Sequence, residues 1–373
     1  MMQVLILGAG ITGCTLARLM KNEGFTVSIK EKQDHIGGLC YTKKNTDGIL
    51  YEPNGGHAFH TKNNRVKKFV LSFSEFNNYK HKKGIVINGI LQHFPLSRKT
   101  ILKMKNSKQI LKELENRPKV PDLTNFETYA ISKFGLTLYK LFIYNYSKRM
   151  WGLEPRKLTT EYIHNRIDLT DSNIHIFQDN FQGLPVKGYT EFLKSMIRDI
   201  PLELNTQEFN ESSHDLVLYS GRIDELFKFK FGKLQYRSLR FDYTKNDNWE
   251  NEDYGSINLP QHTKYIRKVN FKVMYQQKTE KSWIQYQEPI SLHDHNSPMY
   301  PIYTRQNIEL FNKYLIEACK SDKIIPIGRL GLYKYLEMGQ AISLAMNMVP
   351  LIKKWKKLNP KKRYSEIKDL LRK

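Results

Sequence analysis

Two histidines in one short segment are the residues whose types most directly suggest chemistry. Residues 51–60 read YEPNGGHAFH and contain His57 and His60 beside a pair of glycines. Imidazole can bind a metal, move a proton or pack against a ligand, and glycines let a backbone approach a flat cofactor. A metal site needs further ligands, and no acidic or cysteine partner in the sequence matches this pair. We therefore expect no metal, and the segment alone leaves an acid–base pair and a cofactor surface open.

The first residues of the chain predict an element that such a cofactor surface could face. A short apolar strand is followed by a glycine turn and an amphipathic helix. In a GxGxxG turn the first glycine permits the bend, the second lets the backbone approach a pyrophosphate, and the third lets the helix pack on the strand. The helix N-terminus at Ile11 and Thr12 would direct its free amides at the phosphates. The glycines of this turn are Gly8, Gly10 and Gly13.

The second strand, TVSIKEK, helps to choose the cofactor. It ends at Glu31, followed by Lys32, where a carboxylate would accept hydrogen bonds from ribose hydroxyls. Gly37 and Gly38 come shortly afterwards, followed by Leu39, and would let the chain pass close to the cofactor. An acidic strand end followed by a glycine pair favours FAD over NAD.

The remaining chain predicts an α/β protein with three parts. Residues 62–150 are mostly helical in pattern, and alternating, aromatic and β-branched patterns typical of strands dominate between about 165 and 320. The segments 214–224 and 323–349 resemble further strand–turn–helix units of the nucleotide-binding fold. The predicted parts are a discontinuous FAD-binding Rossmann-type domain (1–72, 206–235 and 318–373), a helical-bundle insertion (73–160) and a mainly antiparallel β-sheet substrate domain (161–205 and 236–317).

The composition of the chain limits which classes of binding partner and which cellular location are expected. The formal net charge of +23 is compatible with a lysine-rich composition, an anionic substrate or nucleic acid, but no RRM, KH, zinc-finger or helix-turn-helix signature supports nucleic acid. The 3 cysteines form no CxxC pair, which favours a reducing cytoplasm. No apolar run reaches about 18 residues, so no membrane span is expected. The basic segment 351–373 is either a solvated helical end or a contact surface for an anionic membrane or an acidic partner.

Several segments, in a fixed order, resemble the UDP-galactopyranose mutase family. The glycine motif is shared by many flavoproteins, but the later segments are more specific, and the resemblance covers nearly the whole chain. The segments are GAGITG, EKQDHIGG, GGHAFHT, YSKRMWG, FQGLPVKGYT, GRIDELFKFKFGKLQYRSL and GRLGLYKYLEMGQAIS. The resemblance implies an isomerase that interconverts the pyranose and furanose forms of a nucleotide-linked sugar and supplies furanose donors for cell-surface polysaccharide.

The same resemblance implies an unusual use of FAD. N5 of the reduced flavin attacks the anomeric carbon, the nucleoside diphosphate leaves and later returns, and no net redox change occurs. The flavin must therefore first be reduced by NAD(P)H or another external reductant. A homodimer is an open alternative to a monomer.

The resemblance also implies roles for individual residues. His60 would lie against the flavin, and Gly56 and His57 would belong to the same wall. Glu337 stands where the family usually has aspartate. The residues implied are, for catalysis, His60, Trp151, Arg329, Tyr300 and Tyr335; for the cofactor, in addition to the N-terminal residues, Gly56, His57, Arg329, Tyr335, Leu336, Glu337 and Met338; and for the substrate, Tyr146, Trp151, Arg166, Phe181, Lys264, Tyr300 and Tyr335.

Departures from the family pattern concentrate at the substrate end. One of two diphosphate-binding arginines aligns with Lys264 in HTKYIRK, and the second has no counterpart, with Arg166 the nearest residue. Phe181 replaces a tyrosine. UDP-galactopyranose is the first expected substrate, and a dTDP-fucopyranose or another nucleotide sugar is the alternative. Arg149, Arg166 or Arg267 could supply the missing charge from another position.

Two other functions share the cofactor motifs. One is a redox flavoenzyme of the amine oxidase or desaturase type, which would reduce its flavin with substrate. The other is a non-catalytic protein that keeps FAD for structural reasons.

Overall fold

The fold was taken from a computed structural model, which describes residues 2–160, 176–206, 208–210, 213–245, 249, 253–292 and 297–372. Within these residues the strands are β1 (Gln3–Leu7), β2 (Thr26–Lys30), β3 (Lys43–Lys44), β4 (Leu50–Tyr51), β5 (Phe59–Thr61), β6 (Lys83–Ile87), β7 (Ile90–Phe94), β8 (Phe181–Gly183), β9 (Leu202–Glu203), β10 (Leu216–Tyr219), β11 (Tyr236–Thr244), β12 (Ser256–Asn258), β13 (Arg267–Asn270), β14 (Ile284–Ser291), β15 (Tyr300–Pro301) and β16 (Ile324–Pro326).

The helices connect these strands and form a separate insertion. They are α1 (Ile11–Asn22), α2 (Asn64–Leu71), α3 (Arg98–Leu102), α4 (Ser107–Glu115), α5 (Phe126–Leu138), α6 (Asn145–Trp151), α7 (Gly188–Ile197), α8 (Ile223–Leu226), α9 (Phe271–Met274), α10 (Arg305–Ala318), α11 (Gly328–Gly331), α12 (Met338–Lys354) and α13 (Pro360–Arg372). Short 3-10 turns occur at Gly38–Cys40, Pro155–Lys157 and Trp355–Lys357, and a π-helical segment, Tyr139–Tyr144, joins α5 to α6.

A five-stranded parallel sheet forms the nucleotide-binding half, with strand order β16-β10-β1-β2-β9. The central strand β1 is a run of aliphatic residues, and Leu5 and Ile6 are fully buried. Such runs are typical of parallel strands that are covered on both faces. The sheet confirms that segments 214–224 and 323–349 return to the N-terminal unit.

A seven-stranded sheet forms the other half, with order β15-β11-β14-β13-β12-β6-β7. Its strand pairs are antiparallel except for the parallel pair β6 and β12. The longest ladder joins β11 to β14, from Arg237 opposite Ser291 to Thr244 opposite Ile284. The predicted α/β class with a mainly antiparallel second sheet is confirmed.

The helical insertion packs against one face of this sheet. Phe134, Phe142 and Trp151 lie in one apolar core with Leu239 and Ile266 of the sheet domain. The π-helical segment directly precedes α6, which carries Tyr146 and Trp151. Local π-helical turns occur frequently at functional sites.

The predicted domain boundary at residue 73 is wrong for one hairpin. Strands β6 and β7 lie inside 73–160, which we predicted to be helical, yet they extend the seven-stranded sheet. Asn88 and Gly89, between them, have φ angles of 50° and 75°. An Asn-Gly pair between two strands is typical of a tight hairpin turn, so the local signal was present in the sequence.

Two other segments belong to the nucleotide-binding half, although 161–205 and 236–317 were assigned to the substrate domain. Strand β9 pairs with β2, and α7 packs beside α1, where Arg18 Nε donates to the carbonyl of Met196 at 2.7 Å. Helix α10 contributes Phe311 and Leu315 to the core of this half. Strand β9 extends the parallel sheet, and α7 and α10 contribute their buried residues to the core of this half.

The basic C-terminal segment is a packed part of the fold. Arg363 in α13 is 4% exposed and donates to the carbonyls of Trp355 and Cys319. Lys354 pairs with Glu366 at 2.9 Å, so part of the positive charge is neutralised locally. The expected helical end is therefore present, solvated on one side and packed through Arg363 and Ile367 on the other. No helix among the described residues is both long enough and apolar enough to cross a membrane.

Candidate active site

A cavity of about 2180 Å³ opens between the two halves of the molecule. This volume exceeds the roughly 300–1,000 Å³ of usual small-molecule sites, so the cavity has room for a dinucleotide and a second ligand. The predicted cofactor residues all contribute to its wall: Gly8, Gly10, Ile11, Thr12, Gly13, Glu31, Lys32, Gly37, Gly38, Leu39, Gly56, His57, Arg329, Tyr335, Leu336, Glu337 and Met338.

The three glycines of the first turn serve different purposes. A Cβ at Gly8 would lie 2.0 Å from Ser220 Oγ, and a Cβ at Gly13 would lie 1.9 Å from the carbonyl oxygen of Gly8. Gly10 has an ordinary φ of −78°, and a Cβ there would meet no described atom within 4 Å. The space that a side chain at Gly10 would occupy is therefore open cavity, and it lies at the N-terminus of α1. Open space beside free amides at a helix N-terminus is what a pyrophosphate needs in order to bind, so the loop fits a dinucleotide.

Glu31 lies directly after β2 and is bonded to the glycine turn, at the part of the cavity where the cofactor is expected. Its carboxylate is 6% exposed and accepts from the amide of Ala9 at 2.7 Å and from that of Gln33 at 2.9 Å. These bonds fix the first turn to the end of β2. A carboxylate offers about four acceptor positions, so it retains capacity for ribose hydroxyls.

His57 is held by a buried carboxylate. Its Nδ1 is 2.6 Å from Glu52 Oε2, and Glu52 is fully buried. Tyr275 donates its hydroxyl to Glu52 at 3.1 Å, and Tyr189 donates to the carbonyl of His57 at 2.9 Å. Burial raises the pKa of Glu52, although the hydrogen bond from His57 opposes the shift. His57 thus braces the glycine-containing wall.

His60 has a different environment. Its Nε2 is 3.0 Å from Glu337 Oε2, its Nδ1 is hydrogen-bonded to Asp179, and its ring stacks on Phe177 with centroids 3.5 Å apart. Burial lowers the pKa of His60, but the hydrogen bonds and charges of Glu337 and Asp179 outweigh burial and raise it. The sequence interpretation missed Asp179 and Phe177, because they lie far from His60 along the chain.

Aromatic rings and one arginine form the neighbouring wall. Tyr300 and Tyr335 stack with centroids 5.9 Å apart, and Trp151 meets Tyr300 edge-on at 6.1 Å. Arg329 lies 4.7 Å from the Tyr335 ring centroid. The guanidinium of Arg329 also donates to the carbonyls of Met299 at 3.0 Å and Leu336 at 2.7 Å, which fixes its position. Burial raises the pKa of Tyr300, which keeps its hydroxyl protonated.

The structure corrects the assignment of Lys264. Its Nζ is 2.8 Å from Asp242, its side chain is 43% exposed, and it lies outside the cavity wall formed by the described residues. Arg267 lies in that wall instead and donates from Nη2 to the hydroxyl of Tyr146 at 2.9 Å. The sequence resemblance placed the family arginine, which follows a tyrosine by two residues, at Lys264; Tyr265 and Arg267 have that same spacing three residues further along.

Phe181 also lies away from the cavity wall of the described chain. Its ring packs against Phe76 at 5.4 Å and Phe59 at 6.0 Å, and Lys67 lies over it at 5.6 Å. The Phe181 position therefore contributes to the core behind β5. Arg166 falls outside the described residues.

Arg149 of α6 binds the loop between β12 and β13 and thereby joins the helix to the sheet. It donates to the carbonyls of Pro260 at 2.9 Å, Leu259 at 3.0 Å and Tyr265 at 3.1 Å. Of the two candidate arginines that the structure describes, Arg267 lines the cavity and Arg149 does not.

Two further histidines, His35 and His81, line the cavity and were not identified from the sequence. His81 is hydrogen-bonded to Tyr79 at 2.9 Å and to Ser256 at 3.2 Å. Burial, followed by the charges of Lys83 and Arg267, lowers the pKa of His81 well below its usual range, so its ring is neutral. Among the described residues, no group of three or more His, Cys, Asp or Glu side chains is arranged to hold a metal ion.

Comparisons with known proteins match both parts of the chain to described families. A family model described as UDP-galactopyranose mutase matches residues 141–335, and one described as an NAD(P)-binding Rossmann-like domain matches residues 6–73. A UDP-galactopyranose mutase of Mycoplasma genitalium is 34% identical, covering 92% of this chain and 93% of the relative. A dTDP-fucopyranose mutase of Escherichia coli is 29% identical, covering 94% of this chain and 98% of the relative.

Solved structures give the same fold. A crystal structure of reduced UDP-galactopyranose mutase covers 100% of this chain and 98% of its own, with a TM-score of 0.77 at 15% identity. A putative protoporphyrinogen oxidase from Exiguobacterium sp. has a TM-score of 0.70 at 11% identity, covering 94% of this chain and 98% of its own. At these identities the likeness concerns the fold alone.

Proposed function

The chain belongs to the UDP-galactopyranose mutase family, and from this premise we propose that it interconverts the pyranose and furanose forms of a nucleotide-diphosphate sugar with FAD as cofactor. The observation that carries the proposal is one cavity with two chemically distinct ends. One end has the open position at Gly10, and the other has the hydrogen-bonded pair of Arg267 and Tyr146.

The cofactor end suits FAD. The amides at the start of α1 would hold the pyrophosphate, and Glu31 would accept from the ribose. The wall formed by Gly56, His60 and Arg329 would lie beside the flavin. Bound FAD in its reduced state, reached with NAD(P)H or another external reductant, supplies a nucleophile for the anomeric carbon of the sugar.

The substrate end suits an anionic leaving group. The guanidinium of Arg267 offers donors in a fixed plane, which matches phosphate oxygens better than a lysine does. Tyr146 fixes the orientation of Arg267 through its hydroxyl. Because Arg267 supplies a charge that we had assigned to Lys264, one reason for expecting an altered substrate disappears. UDP-galactopyranose is therefore the first candidate, and a dTDP-linked fucopyranose is the second.

The aromatic wall would shield the reacting sugar. Trp151 is 7% exposed, and its ring is perpendicular to that of Tyr300. Tyr300 and Tyr335 present hydroxyls and ring edges to the cavity, and Arg329 fixes Tyr335 by its position over the ring. Excluding water matters because an activated sugar would otherwise hydrolyse.

The test is to incubate dithionite-reduced holoprotein with UDP- and dTDP-linked pyranoses and to separate furanose products by chromatography. Furanose formation by the reduced protein, and none by the oxidised protein, is expected. Substrate-dependent reduction of oxidised flavin with oxygen consumption would instead identify a redox flavoenzyme. No isomerisation of any nucleotide sugar would identify a non-catalytic FAD protein.

A contact between the C-terminal segment and an anionic membrane stays a separate proposal, as does a homodimer. Because α13 belongs to the core, deleting it would disturb folding, so point changes are the better test. Lys357 and Lys361 lie in this segment, and both are exposed. Replacing both with glutamine should weaken sedimentation with anionic vesicles while neutral vesicles give no binding. Analytical ultracentrifugation of the holoprotein would measure the oligomeric state.

A further inference from the structure

The ring of His60 lies between two carboxylates from distant parts of the chain. Its Nε2 is 3.0 Å from Glu337 at the N-cap of α12, and its Nδ1 is hydrogen-bonded to Asp179 in the turn before β8. A neutral imidazole has one N–H group and one acceptor nitrogen, whereas the imidazolium has two N–H groups. When both carboxylates are ionised, only the imidazolium donates to both.

The fold fixes Asp179 in this position. Strand β5 pairs with β8 so that His60 lies opposite Gln182. Gln182 Nε2 donates to the carbonyl of Phe177 at 2.9 Å and to that of Asp179 at 3.3 Å. The turn that carries Phe177 and Asp179 is therefore tied to the strand beside His60. Phe177 covers one face of the imidazole, and the carboxylates occupy both ring nitrogens.

We propose that Asp179 is a positioning residue which, together with Glu337, holds His60 as an imidazolium with a fixed ring plane. His60 then presents a flat face to the cavity and has no free nitrogen with which to act as a general base. The identity of the flat partner, the flavin, rests on the proposed function; the protonation state rests on the geometry alone. The cluster of two carboxylates and one imidazolium carries net negative charge, so it does not favour a phosphate group, and the basic residues elsewhere in the wall, Arg267 among them, are better placed to bind one.

The surrounding charges are consistent with this assignment. Glu337 and Asp179 raise the pKa of His60 against the opposing effect of burial. His81 is the other histidine that faces His60, and burial keeps it neutral, with further help from Lys83 and Arg267. Neutralising Asp179 removes one of the two opposite charges and one hydrogen bond to the charged ring. An adjacent opposite charge usually changes proton affinity by about tenfold or more.

Histidine-selective carbon-13 NMR of the FAD-loaded protein tests the proposal directly, with the His60 signal assigned by loss in His60→Gln. We expect wild-type His60 to titrate above free histidine, Asp179→Asn to lower its proton affinity by about tenfold or more, and Asp179→Glu to restore it. Asp242→Asn is the matched control, because it removes a carboxylate from an ion pair outside the cavity wall, and it should change nothing. An ordinary titration of His60 in wild type, or identical titrations in wild type and Asp179→Asn, would overturn the proposal.

The pH profile of turnover provides a second readout that a merely structural role would not move. We expect turnover to fall as pH rises through the pKa of His60, and this fall to move to lower pH in Asp179→Asn. Turnover that instead rises as His60 loses its proton would show a general base and contradict the proposal. Absence of furanose product at every pH, with the NMR titrations as expected, would overturn the proposed function and leave the assignment of Asp179 intact.

Discussion

At the cofactor end of the cavity, the glycine turn and Glu31 come from one continuous stretch of chain, whereas at the substrate end the polar side chains come from three separate elements. Gly10 is the N-cap of α1, and Glu31 directly follows β2 in the nucleotide-binding half. Tyr146, Arg267 and Tyr300 lie on α6, β13 and β15. The cofactor end combines main-chain amides and an absent side chain with one carboxylate, that of Glu31, whereas the substrate end relies on side-chain groups alone.

This difference has a consequence for tolerance to change. A main-chain site requires particular backbone geometry, so few substitutions preserve it. A side-chain site can be altered one residue at a time while the backbone stays in place. Substrate choice can therefore diverge in this fold without loss of cofactor binding.

The most severe test of the substrate end compares Arg267 with Lys264. We expect Arg267→Ala to lower kcat/KM for the nucleotide sugar by at least about 100-fold, because a charged contact that the bound ligand shields from water is worth several kcal/mol. Lys264→Ala should stay within about twofold, since exposed ion pairs contribute little. Steady-state kinetics of the reduced enzymes would measure both. A larger loss in Lys264→Ala would reverse the assignment.

At the cofactor end, Gly10→Ala should weaken FAD binding by about tenfold to 100-fold, because one added methyl group overfills a close contact at a cost of about 1–3 kcal/mol. Its apoprotein should unfold at the wild-type temperature, since a Cβ meets no described atom within 4 Å. Gly13→Ala is the contrasting variant and should destabilise the apoprotein itself. Titration with FAD and thermal unfolding separate the two effects. A destabilised Gly10→Ala apoprotein would contradict the claim that the space beside Gly10 is open.

Tyr146→Phe measures how strongly one side chain orients another at the substrate end. Loss of the hydrogen bond to Arg267 should lower kcat/KM by about fivefold, which corresponds to about 1 kcal/mol. The effect should disappear when Arg267 is already alanine, because the two residues then no longer interact. Additive losses in the double variant would indicate that Tyr146 contacts the substrate independently.

The smallest expected effect concerns the wall between the two ends. A histidine whose pKa is raised on folding stabilises the protein below the unfolded pKa, and this stability is lost as pH rises through the folded pKa. The destabilisation by Asp179→Asn should therefore be larger near pH 6 than near pH 9, by on the order of 1 kcal/mol. Urea unfolding at both pH values measures it. A difference that is independent of pH would mean that Asp179 does not act through the charge of His60.

Local signals explain which parts were predictable from the sequence. The glycine turn, Glu31 and the parallel strands were identified because each requirement is met by neighbouring residues. The β6–β7 hairpin also had a local signal, its Asn-Gly turn, but it was hidden in a segment rich in helical patterns. The docking of α13 had no such signal, because its buried Arg363 looks like any other basic residue until its carbonyl partners are known.

The remaining site residues could not be predicted because their positions depend on pairing between strands that are distant in sequence. Lys264 and Arg267 are both basic and close in sequence, and only the position of β13 in the sheet decides which one reaches the cavity. Asp179 approaches His60 because β5 pairs with β8, and no periodicity links residues that far apart. Family resemblance located the chemistry, while the fold was needed to assign it to individual side chains.

The interleaved strand order of the parallel sheet also constrains when the cofactor site can form during synthesis. Strand β1 begins at Gln3, but its neighbour β10 pairs with β16, which starts at Ile324. Contacts of such wide sequence separation close late and slowly. A nascent chain therefore carries its glycine turn for most of translation without the elements that complete the cavity. FAD capture should consequently follow release of nearly all of the chain from the ribosome, which makes cofactor loading a late step in maturation.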